Sequence, residues 1–232
     1  MIISKRLKYI SRLVDDVEKI VDVGTDHGYV VIELLKNDKI KSAIASDINK
    51  GPVERAKDNV KAYGLSEKVS CRLGSGLKTV KPGEVDAAVI AGMGGNLIKD
   101  IIEADMDVFK KLKYAILQPV QNPEVLREYI LTKGFNLEDE WIVYDEDKYY
   151  EIMKVSYGNN KTKADLVDVD YEVSDILIKK KDPVYFDYLK YKIKRYEYVL
   201  DNLKEDTENS RNRKNELRIK LEKLKSVIEF KI

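Results

Sequence analysis

The chain has 232 residues, of which 44% are hydrophobic and 36% are charged, with a formal net charge of +1. This length accommodates one large hydrophobic core and a smaller second unit. No apolar run approaches the ~20 residues that a membrane-spanning helix needs, and no apolar segment follows the N-terminal basic residues, so neither a membrane protein nor a secreted one is expected. A single cysteine and a single histidine fit a reducing compartment and are too few for the usual zinc site. We therefore expect a cytoplasmic protein without a metal.

The first predicted element is a helix that begins after Ser4, a suitable N-cap, and places its apolar residues on one face. An apolar strand over 20–23 follows. It runs into a loop that contains Gly24 and Gly28, and the loop leads into a helix over 29–35. Such a unit binds nucleotide-like ligands, because glycines admit a ligand to the backbone and the helix start presents free N–H groups.

The spacing within this loop indicates the kind of ligand. The G-x-G-x-x-G spacing of dinucleotide sites is absent, and so is a Walker lysine followed by Ser or Thr. The loop instead carries the carboxylates of Asp22 and Asp26, which suit an ammonium or a sulfonium group better than a pyrophosphate. S-adenosylmethionine is therefore the predicted cofactor. His27 has two interpretations, either a catalytic base or a residue that orients the loop.

Beyond this loop, apolar strands alternate with helices, as in a parallel sheet covered on both faces. The predicted strands cover 41–46, 69–73, 86–91 and 114–117, and the predicted helices cover 54–62, 97–103 and 123–132. Two further strand-like runs, 135–144 and 149–157, leave no room for a helix between them and must pair as a hairpin. Five parallel strands closed by a hairpin predict an α/β fold, the Rossmann-like seven-stranded sheet of class I methyltransferases.

The last part of the chain follows a different periodicity. After a linker over 158–161, apolar residues recur at alternating spacings of three and four over 186–203 and again over 217–228. This pattern predicts a C-terminal domain that is an antiparallel helical coiled coil. We expect domains over 1–160 and 161–232, with lysines such as Lys192 and Lys220 on the outer surface of the second.

The strand ends supply the other predicted cofactor contacts, because the carboxyl ends of parallel strands meet at one edge of the sheet. Asp47 ends the second strand and suits the ribose hydroxyls, although an ordinary helix N-cap would also explain it. Gly74 and Ser75 follow the third strand and would flank the adenine. Gly92 and Met93 follow the fourth, and Met93 is expected to form a wall of the site.

The fourth strand end also indicates the methyl acceptor. It lacks the Asp/Asn-Pro-Pro-Tyr/Phe segment with which amino methyltransferases hold an exocyclic amine, and its glycines leave room for a flat ring. A ring nitrogen such as adenine N1 attacks with its own lone pair and needs no base, so alignment and electrostatics are sufficient. Asp26 is the candidate catalytic residue, since a carboxylate would stabilise the cationic product. N1 lies on the Watson–Crick edge, so the base must be unpaired or extruded.

Six segments of the chain occur in the order found in a known family. They are Ser4-Lys5-Arg6-Leu7, Asp22-Val23-Gly24-Thr25-Asp26-His27, Gly51-Pro52, Ile90-Ala91-Gly92-Met93-Gly94-Gly95, Leu117-Gln118-Pro119 and Tyr150-Glu151. In these segments the chain resembles the bacterial tRNA (adenine-22-N1)-methyltransferases. The resemblance implies that S-adenosylmethionine is used to methylate N1 of an adenine in tRNA.

Carried over by matching position, the resemblance assigns two sets of residues. The donor site would be lined by Gly24, Asp26, His27, Gly28, Asp47, Gly74, Ser75 and Gly92, beside the Asp22 and Met93 predicted above. The entrance for the acceptor, called the acceptor mouth below, would be formed by Lys5, Arg6, Gln118, Pro119, Arg127 and Tyr150. Ser75 stands where the family pattern has Asp or Asn, and Val120 stands where it has Asn.

Two other functions remain open at this point. One is a small-molecule methyltransferase whose coiled coil serves to dimerise it. The other is a non-catalytic RNA-binding protein that keeps the sheet. The salt dependence of acceptor binding distinguishes a tRNA methyltransferase from a small-molecule methyltransferase, because tRNA binding through phosphates weakens steeply as the salt concentration rises. The sequence does not indicate which tRNAs are modified, the oligomeric state or a protein partner.

Overall fold

The computed structural model describes residues 3–158, 171–203 and 207–231. The chain divides into two units, Met1–Lys163 and Ala164–Ile232. The predicted boundary between residues 160 and 161 lies outside the described residues, as does most of the predicted linker. The two domain ranges therefore stay a prediction.

The first unit is built on a seven-stranded sheet with the order β3-β2-β1-β4-β5-β7-β6. Strands β1 to β5 are parallel, whereas β7 runs antiparallel to both β5 and β6. The strands are β1 (Lys19–Val23), β2 (Ser42–Asp47), β3 (Val69–Leu73), β4 (Ala87–Gly94), β5 (Tyr114–Gln121), β6 (Asn136–Asp145) and β7 (Lys148–Ser156). This sheet confirms the predicted Rossmann-like seven-stranded architecture and the predicted hairpin.

The helices of residues 3–158 pack on the two faces of the sheet. They are α1 (Lys5–Leu13), α2 (Tyr29–Lys36), α3 (Lys50–Ala62), α4 (Gly95–Ala104), α5 (Met106–Phe109) and α6 (Pro123–Thr132). Alternate residues of β1 enter different cores: Val21 packs with the α4 side, and Ile20 packs with the α1 and α2 side. This alternation follows from the period of two along a strand. Ser4 accepts the N–H of Leu7 at 3.2 Å, which confirms the predicted N-cap of α1.

Strands β4 and β5 are both longer than predicted. Ala91 pairs with Gln118 and Met93 pairs with Pro119, so Gly92 is left out of the ladder as a bulge. β5 continues through its proline because β7 pairs with it only as far as Leu117. On that side a proline has no ladder hydrogen bond to lose.

The β6–β7 hairpin turns at Glu146 and Asp147, whose φ angles are 47° and 59°. Two consecutive left-handed residues form the type I′ turn that matches the twist of paired strands. Asp145 and Lys148 close the ladder beside this turn. The hairpin is therefore one tight unit, with each strand displaced by one residue from its predicted range.

The second unit contains the helices α7 (Asp175–Lys179), α8 (Pro183–Asn202) and α9 (Glu208–Lys231), and α8 packs against α9. Of the predicted apolar seam, Leu189, Leu217 and Leu224 are buried. Tyr185 is also fully buried, one position before the predicted Phe186. Among the described residues, no helix is both long and apolar enough to cross a bilayer.

Two of the lysines predicted to lie on the surface of this unit instead face its interior. The buried carboxylate of Glu172 accepts hydrogen bonds from Lys192, at 2.5 Å, and from Lys220. Burial raises the pKa of Glu172, but the two ammonium groups outweigh this effect and hold the pKa at about 2. The outward placement of Lys192 is therefore wrong, since only 7% of this residue is exposed. The helical period predicts which face of a helix each residue occupies. Here an ion pair with a distant residue, Glu172, buries a lysine that the period predicts to be exposed.

Candidate cofactor and acceptor site

The carboxyl ends of the first four strands lie along one edge of the sheet. The strand order reverses between β1 and β4, which is the point where open α/β sheets bind ligands. The loop after β1 is fixed to β2, because the N–H groups of Gly24 and Thr25 both donate to the carbonyl of Ser46, at 2.8 and 2.9 Å. The N–H of Gly74 donates to the carbonyl of Asp47 at 2.9 Å. The predicted segments after β1, β2 and β3 are thus neighbours.

A cavity of about 220 Å³ opens beside α1 at this edge. It is lined by residues from α1, β1, the following loop, α2 and the end of β4, namely Arg6, Leu7, Asp22, Gly24, Thr25, Asp26, Tyr29, Val30, Ala91 and Gly92. Four residues of the predicted donor site and one of the predicted acceptor mouth therefore share a single cavity. Leu7, Thr25 and Tyr29 were not predicted as site residues.

Asp22 is the buried acidic group of this cavity, with 6% of the residue exposed. Burial raises its pKa to about 6, the hydroxyl of Thr25 and the charge of Arg6 lower the pKa, and Asp47 raises it. Thr25 is itself buried, and its hydroxyl has no hydrogen bond of normal geometry within the described residues. The cavity therefore presents one carboxylate that a cationic ligand would stabilise and, near it, one hydroxyl that makes no hydrogen bond of normal geometry.

Two glycines of the site have a left-handed backbone conformation that other residues rarely adopt. Gly24 has a φ of 77°, and a Cβ at this position would lie 2.1 Å from Cε of Met93, so the Met93 side chain would have to move as well. Met93 does not line the cavity described above, so its predicted wall role stays a prediction. Gly92, at the β4 bulge, has a φ of 79° and is exposed, and the nearest atom to its absent Cβ is Nη1 of Arg6, at 3.9 Å. Its backbone is therefore open to the cavity.

The Asp26-His27 segment is turned toward α3. Oδ1 of Asp26 accepts from Nε and Nη2 of Arg55, at 3.1 and 2.7 Å, and the Asp26 side chain is 60% exposed. His27 has a φ of 67°, stacks on Tyr29 with ring centroids 5.0 Å apart, and accepts from Asn59 through its carbonyl at 2.9 Å. These contacts favour the loop-orienting interpretation of His27. The Arg55 pair lends no support to the catalytic role of Asp26, which stays a prediction.

Gly28 and Gly74 are explained by backbone conformation and by packing, respectively. Gly28 is the N-cap of α2 with a φ of 70°, whereas a Cβ there would lie at an ordinary 3.5 Å from Cβ of Ala56. A Cβ on Gly74 would lie 2.7 Å from Cγ2 of Thr79. Neither glycine lines the cavity described above, and their contact with the cofactor stays a prediction.

The end of β2 provides a hydrogen-bonding carboxylate between exposed apolar residues. Oδ1 of Asp47 accepts the N–H of Asn49 at 2.7 Å, and within the described residues Oδ2 has no hydrogen bond. One oxygen thus orders the turn before α3, and the other is free for a hydroxyl. The N-cap of α3 is Asn49, so the N-cap interpretation of Asp47 is wrong. Ile48 and Leu73 are 66% and 59% exposed on either side, and Ser75 is exposed nearby in sequence. The two apolar side chains were missed, although Ile48 directly follows the strand-end aspartate.

On the acceptor side, Arg6 is the central residue. Its Nη1 donates to Oε1 of Gln118, and its guanidinium lies over the ring of Tyr150, with Cζ 5.2 Å from the centroid. Gln118 is fully buried and also donates to the carbonyl of Pro119 at 2.8 Å. The predicted mouth position of Gln118 and Pro119 is therefore corrected: both lie beneath the surface, where Gln118 supports Arg6. Lys5 is exposed at the start of the same helix.

Arg127 does not lie at the acceptor mouth. This residue is 2% exposed and donates to Glu140 through Nε at 3.0 Å and Nη2 at 2.7 Å, and Nη2 also donates to Glu151. Its prediction at the mouth is wrong, because α6 directs the side chain into the packing of β6 and β7. Two glutamates far along the chain form its ion pairs, which a motif of adjacent residues does not reveal.

Comparison with known proteins agrees with this arrangement. The model of the tRNA (adenine(22)-N(1))-methyltransferase family matches residues 20–226. The tRNA (adenine(22)-N(1))-methyltransferase of Bacillus subtilis is 32% identical, over 98% of this chain and 97% of that protein. The match thus extends over both units.

Solved structures give the same result at the level of the fold. The Streptococcus pneumoniae protein Sp1610, in complex with S-adenosyl-L-methionine, is 33% identical and superposes with a TM-score of 0.85 over 98% of this chain and all of that chain. M. capricolum TrmK, in complex with S-adenosyl-homocysteine, is 27% identical with a TM-score of 0.82, again over 98% and 100% of the two chains. The chain belongs to the tRNA (adenine(22)-N(1))-methyltransferase family.

Proposed function

We propose that this protein transfers a methyl group from S-adenosylmethionine to N1 of an adenine in tRNA, and that donor and acceptor meet in the cavity beside α1. One observation supports this location above the others: Arg6, from the acceptor side, lines the same cavity as Asp22, Gly24 and Gly92, from the donor side. A binding protein without chemistry has no need to bring the two sets together.

The residues of the cavity fit the cofactor. Asp22 is a buried carboxylate suited to the ammonium of the methionyl part, and the nearby hydroxyl of Thr25 offers a further hydrogen bond. The free oxygen of Asp47 suits the ribose hydroxyls. Ile48 and Leu73 offer apolar contact to the adenine, which explains why such side chains are exposed. When bound, the cofactor supplies an electrophilic methyl group on a sulfonium.

The protein contributes alignment and electrostatics to the reaction. Adenine N1 carries an in-plane lone pair, so its attack requires no group that removes a proton. The open backbone at Gly92 leaves space for a flat base to approach the donor. The carboxylate of Asp22 balances positive charge in the cavity both before and after transfer, since this charge moves from sulfur to the base.

Arg6 suits the nucleic acid. Its guanidinium is held on two sides, by Gln118 and by the Tyr150 ring, so little rotamer freedom remains to be lost on binding. The remaining N–H groups can donate to a phosphate of the nucleotide that carries the target base, and phosphate contacts of this kind position a nucleic acid without reading its sequence. Lys5 adds a second positive charge at the same helix start.

We further propose that α8 and α9 form the predicted antiparallel coiled coil of a C-terminal domain over 161–232, and that the protein acts on tRNA in the cytoplasm. The buried leucines shared between the two helices, Leu189, Leu217 and Leu224, support the coiled coil.

The deciding experiment incubates the protein with labelled S-adenosylmethionine and unmodified tRNA. Nucleoside mass spectrometry then identifies the methylated nucleoside, and mass spectrometry of nuclease fragments locates it in the tRNA. We expect 1-methyladenosine at position 22 of the tRNA and loss of tRNA binding as the salt concentration rises. Label on a small acceptor and none in tRNA would favour the small-molecule enzyme. Binding of tRNA with no label transferred would favour the non-catalytic protein.

A further inference from the structure

The start of α1 is attached to the tip of the β6–β7 hairpin. Oδ2 of Asp145 accepts the backbone N–H of Arg6 at 2.8 Å, across a sequence separation of 139 residues. The ammonium of Lys5 donates to the backbone carbonyl of Tyr144 at 3.0 Å, across the same separation. Two successive residues of the hairpin thus hold two successive residues of the helix.

The bond from Asp145 fixes the backbone that carries Arg6. The first N–H groups of a helix have no partner within the helix, and the side chain of Ser4 accepts only the N–H of Leu7. Asp145 provides an acceptor for Arg6, and a carboxylate is favoured at this end of a helix by the helix dipole. The Arg6 side chain is fixed by the same hairpin, because Tyr150 lies on β7 only five residues after Asp145. The hairpin therefore contacts both the backbone and the guanidinium of Arg6, and Gln118 on β5 provides the second contact to the guanidinium.

We propose that Asp145 is a positioning residue for methyl transfer, which acts through α1 to keep the Arg6 guanidinium at the entrance of the cavity. Asp145 does not line the cavity and does not touch the reacting atoms, whereas Arg6 lines the cavity beside Asp22 and Gly92. This inference depends on the proposed function, since it assigns Asp145 to the acceptor side of that reaction.

If Asp145 had a purely structural role, its loss would destabilise the fold. A positioning role predicts a different result. Helix α1 keeps its own Ser4 cap and is anchored in the core by Ile10 and Val14, which are 0% and 1% exposed. Loss of Asp145 therefore releases the first turn of α1 and leaves the rest of the helix packed. The effect should appear in the use of tRNA rather than in folding or in binding of the donor.

The test measures steady-state methylation of tRNA, donor affinity by calorimetry and thermal unfolding for a set of variants. We expect Asp145→Ala to lower kcat/KM for tRNA by about tenfold or more, because misplacement of an orienting group is costly. Donor affinity should stay within about twofold and the midpoint of unfolding nearly unchanged. Asp145→Asn should restore most of the activity, because its amide oxygen accepts the same hydrogen bond.

Glu146→Ala is the matched control. It removes the same charge from the next position of the turn, and Glu146 is exposed and makes no hydrogen bond or ion pair within the described residues. If Glu146→Ala reduced activity as much as Asp145→Ala, a general charge effect would replace the proposal. Wild-type activity of Asp145→Ala, or a loss of donor binding and of folded protein in that variant, would also overturn it.

A double-mutant cycle with Arg6→Ala tests whether Asp145 acts through Arg6. Because Asp145 is proposed to act only through Arg6, Asp145→Ala should cause little further loss in an Arg6→Ala background. Additive losses would contradict the proposal. The proposed function is tested separately by the wild-type protein: absence of 1-methyladenosine there would remove both proposals, whereas its presence with additive losses would remove only the role of Asp145.

Discussion

Arg127 and Glu140 form an ion pair in which each side chain is only 2% exposed, and both Nε and Nη2 of the arginine donate to the same carboxylate oxygen. Glu151 accepts a further hydrogen bond from Nη2. The three residues lie on α6, β6 and β7, so this buried group fixes the hairpin that carries Asp145 and Tyr150. Its function is to hold the structure behind the site rather than to contact tRNA.

Arg127→Ala should therefore lower the free energy of unfolding by about 3–5 kcal/mol, because it leaves buried carboxylates without their partner. Arg127→Lys should also destabilise, since an ammonium cannot reproduce the planar fork of a guanidinium. Urea denaturation measures both. The exposed Arg12→Ala serves as the control and should change stability by no more than about 0.5 kcal/mol. Normal stability of Arg127→Ala together with a raised KM for tRNA would restore the predicted place of Arg127 at the acceptor mouth.

Asp22→Asn should stabilise the protein without cofactor at neutral pH. The pKa of Asp22 is raised from 3.8 to about 6 in the folded state, so the unfolded state binds fewer protons than the folded state between these values. The contribution of Asp22 to stability therefore falls as pH rises from about 4 to 6, and above pH 6 it is unfavourable by about 3 kcal/mol. The gain from Asp22→Asn should appear in thermal unfolding at pH 8 and vanish at pH 4.

The same substitution should weaken binding of S-adenosylmethionine at pH 8, because the charge that balances the ammonium is lost. In the wild-type protein, donor affinity should decline as pH falls below about 6, where Asp22 is protonated. Calorimetry across this range measures both effects. A donor affinity that is independent of pH between 5 and 8, or unchanged in Asp22→Asn, would exclude contact between Asp22 and the donor.

Asp47→Ala should lower donor affinity at least tenfold, a loss of ~1.4 kcal/mol, because it removes the acceptor proposed for the ribose hydroxyls. Asp58→Ala is the control, since Asp58 is exposed on the outer side of the adjoining helix α3. Calorimetric titration with S-adenosylmethionine compares the two. Equal affinities of Asp47→Ala and wild type would remove Asp47 from the cofactor site.

Asp26→Asn tests the predicted catalytic carboxylate. Arg55 already neutralises Asp26 at an exposed position, where ion pairs contribute little, so we expect a loss in kcat of less than about threefold. Arg55→Ala should have an effect of similar size. Single-turnover methylation measures the chemical step directly. A loss of tenfold or more that is confined to Asp26→Asn would support the catalytic role.

Much of the first unit was predictable from local pattern. The ranges of β3 and α6 agree with their predictions residue by residue, because an apolar run bounded by turns and a helix bounded by Pro123 and Gly134 carry their own limits. The gathering of Asp22 and Asp47 at one edge of the sheet was also predictable, because parallel strands bring their carboxyl ends to one edge. The extension of β4 was missed because three glycines in Gly92–Gly95 indicate a loop.

The residues that the sequence analysis misplaced are charged or polar side chains with distant partners. Arg127 and Lys192 were expected at the surface, yet both are buried against glutamates. Gln118 was expected to contact the acceptor, yet it lies beneath Arg6. In each case the burial of a polar group is possible only because another element supplies its hydrogen bonds, and this information is not local.

Local pattern predicted the alternation of strands and helices, the edge of the sheet where the predicted cofactor residues gather and the family to which the chain is similar. These properties depend on periodicity and on the chemistry of neighbouring residues. Only the tertiary structure decided that Asp145 holds Arg6 and that Arg127 holds the hairpin. Contacts of this kind join elements far apart in the chain, so they exist only once packing has brought those elements together.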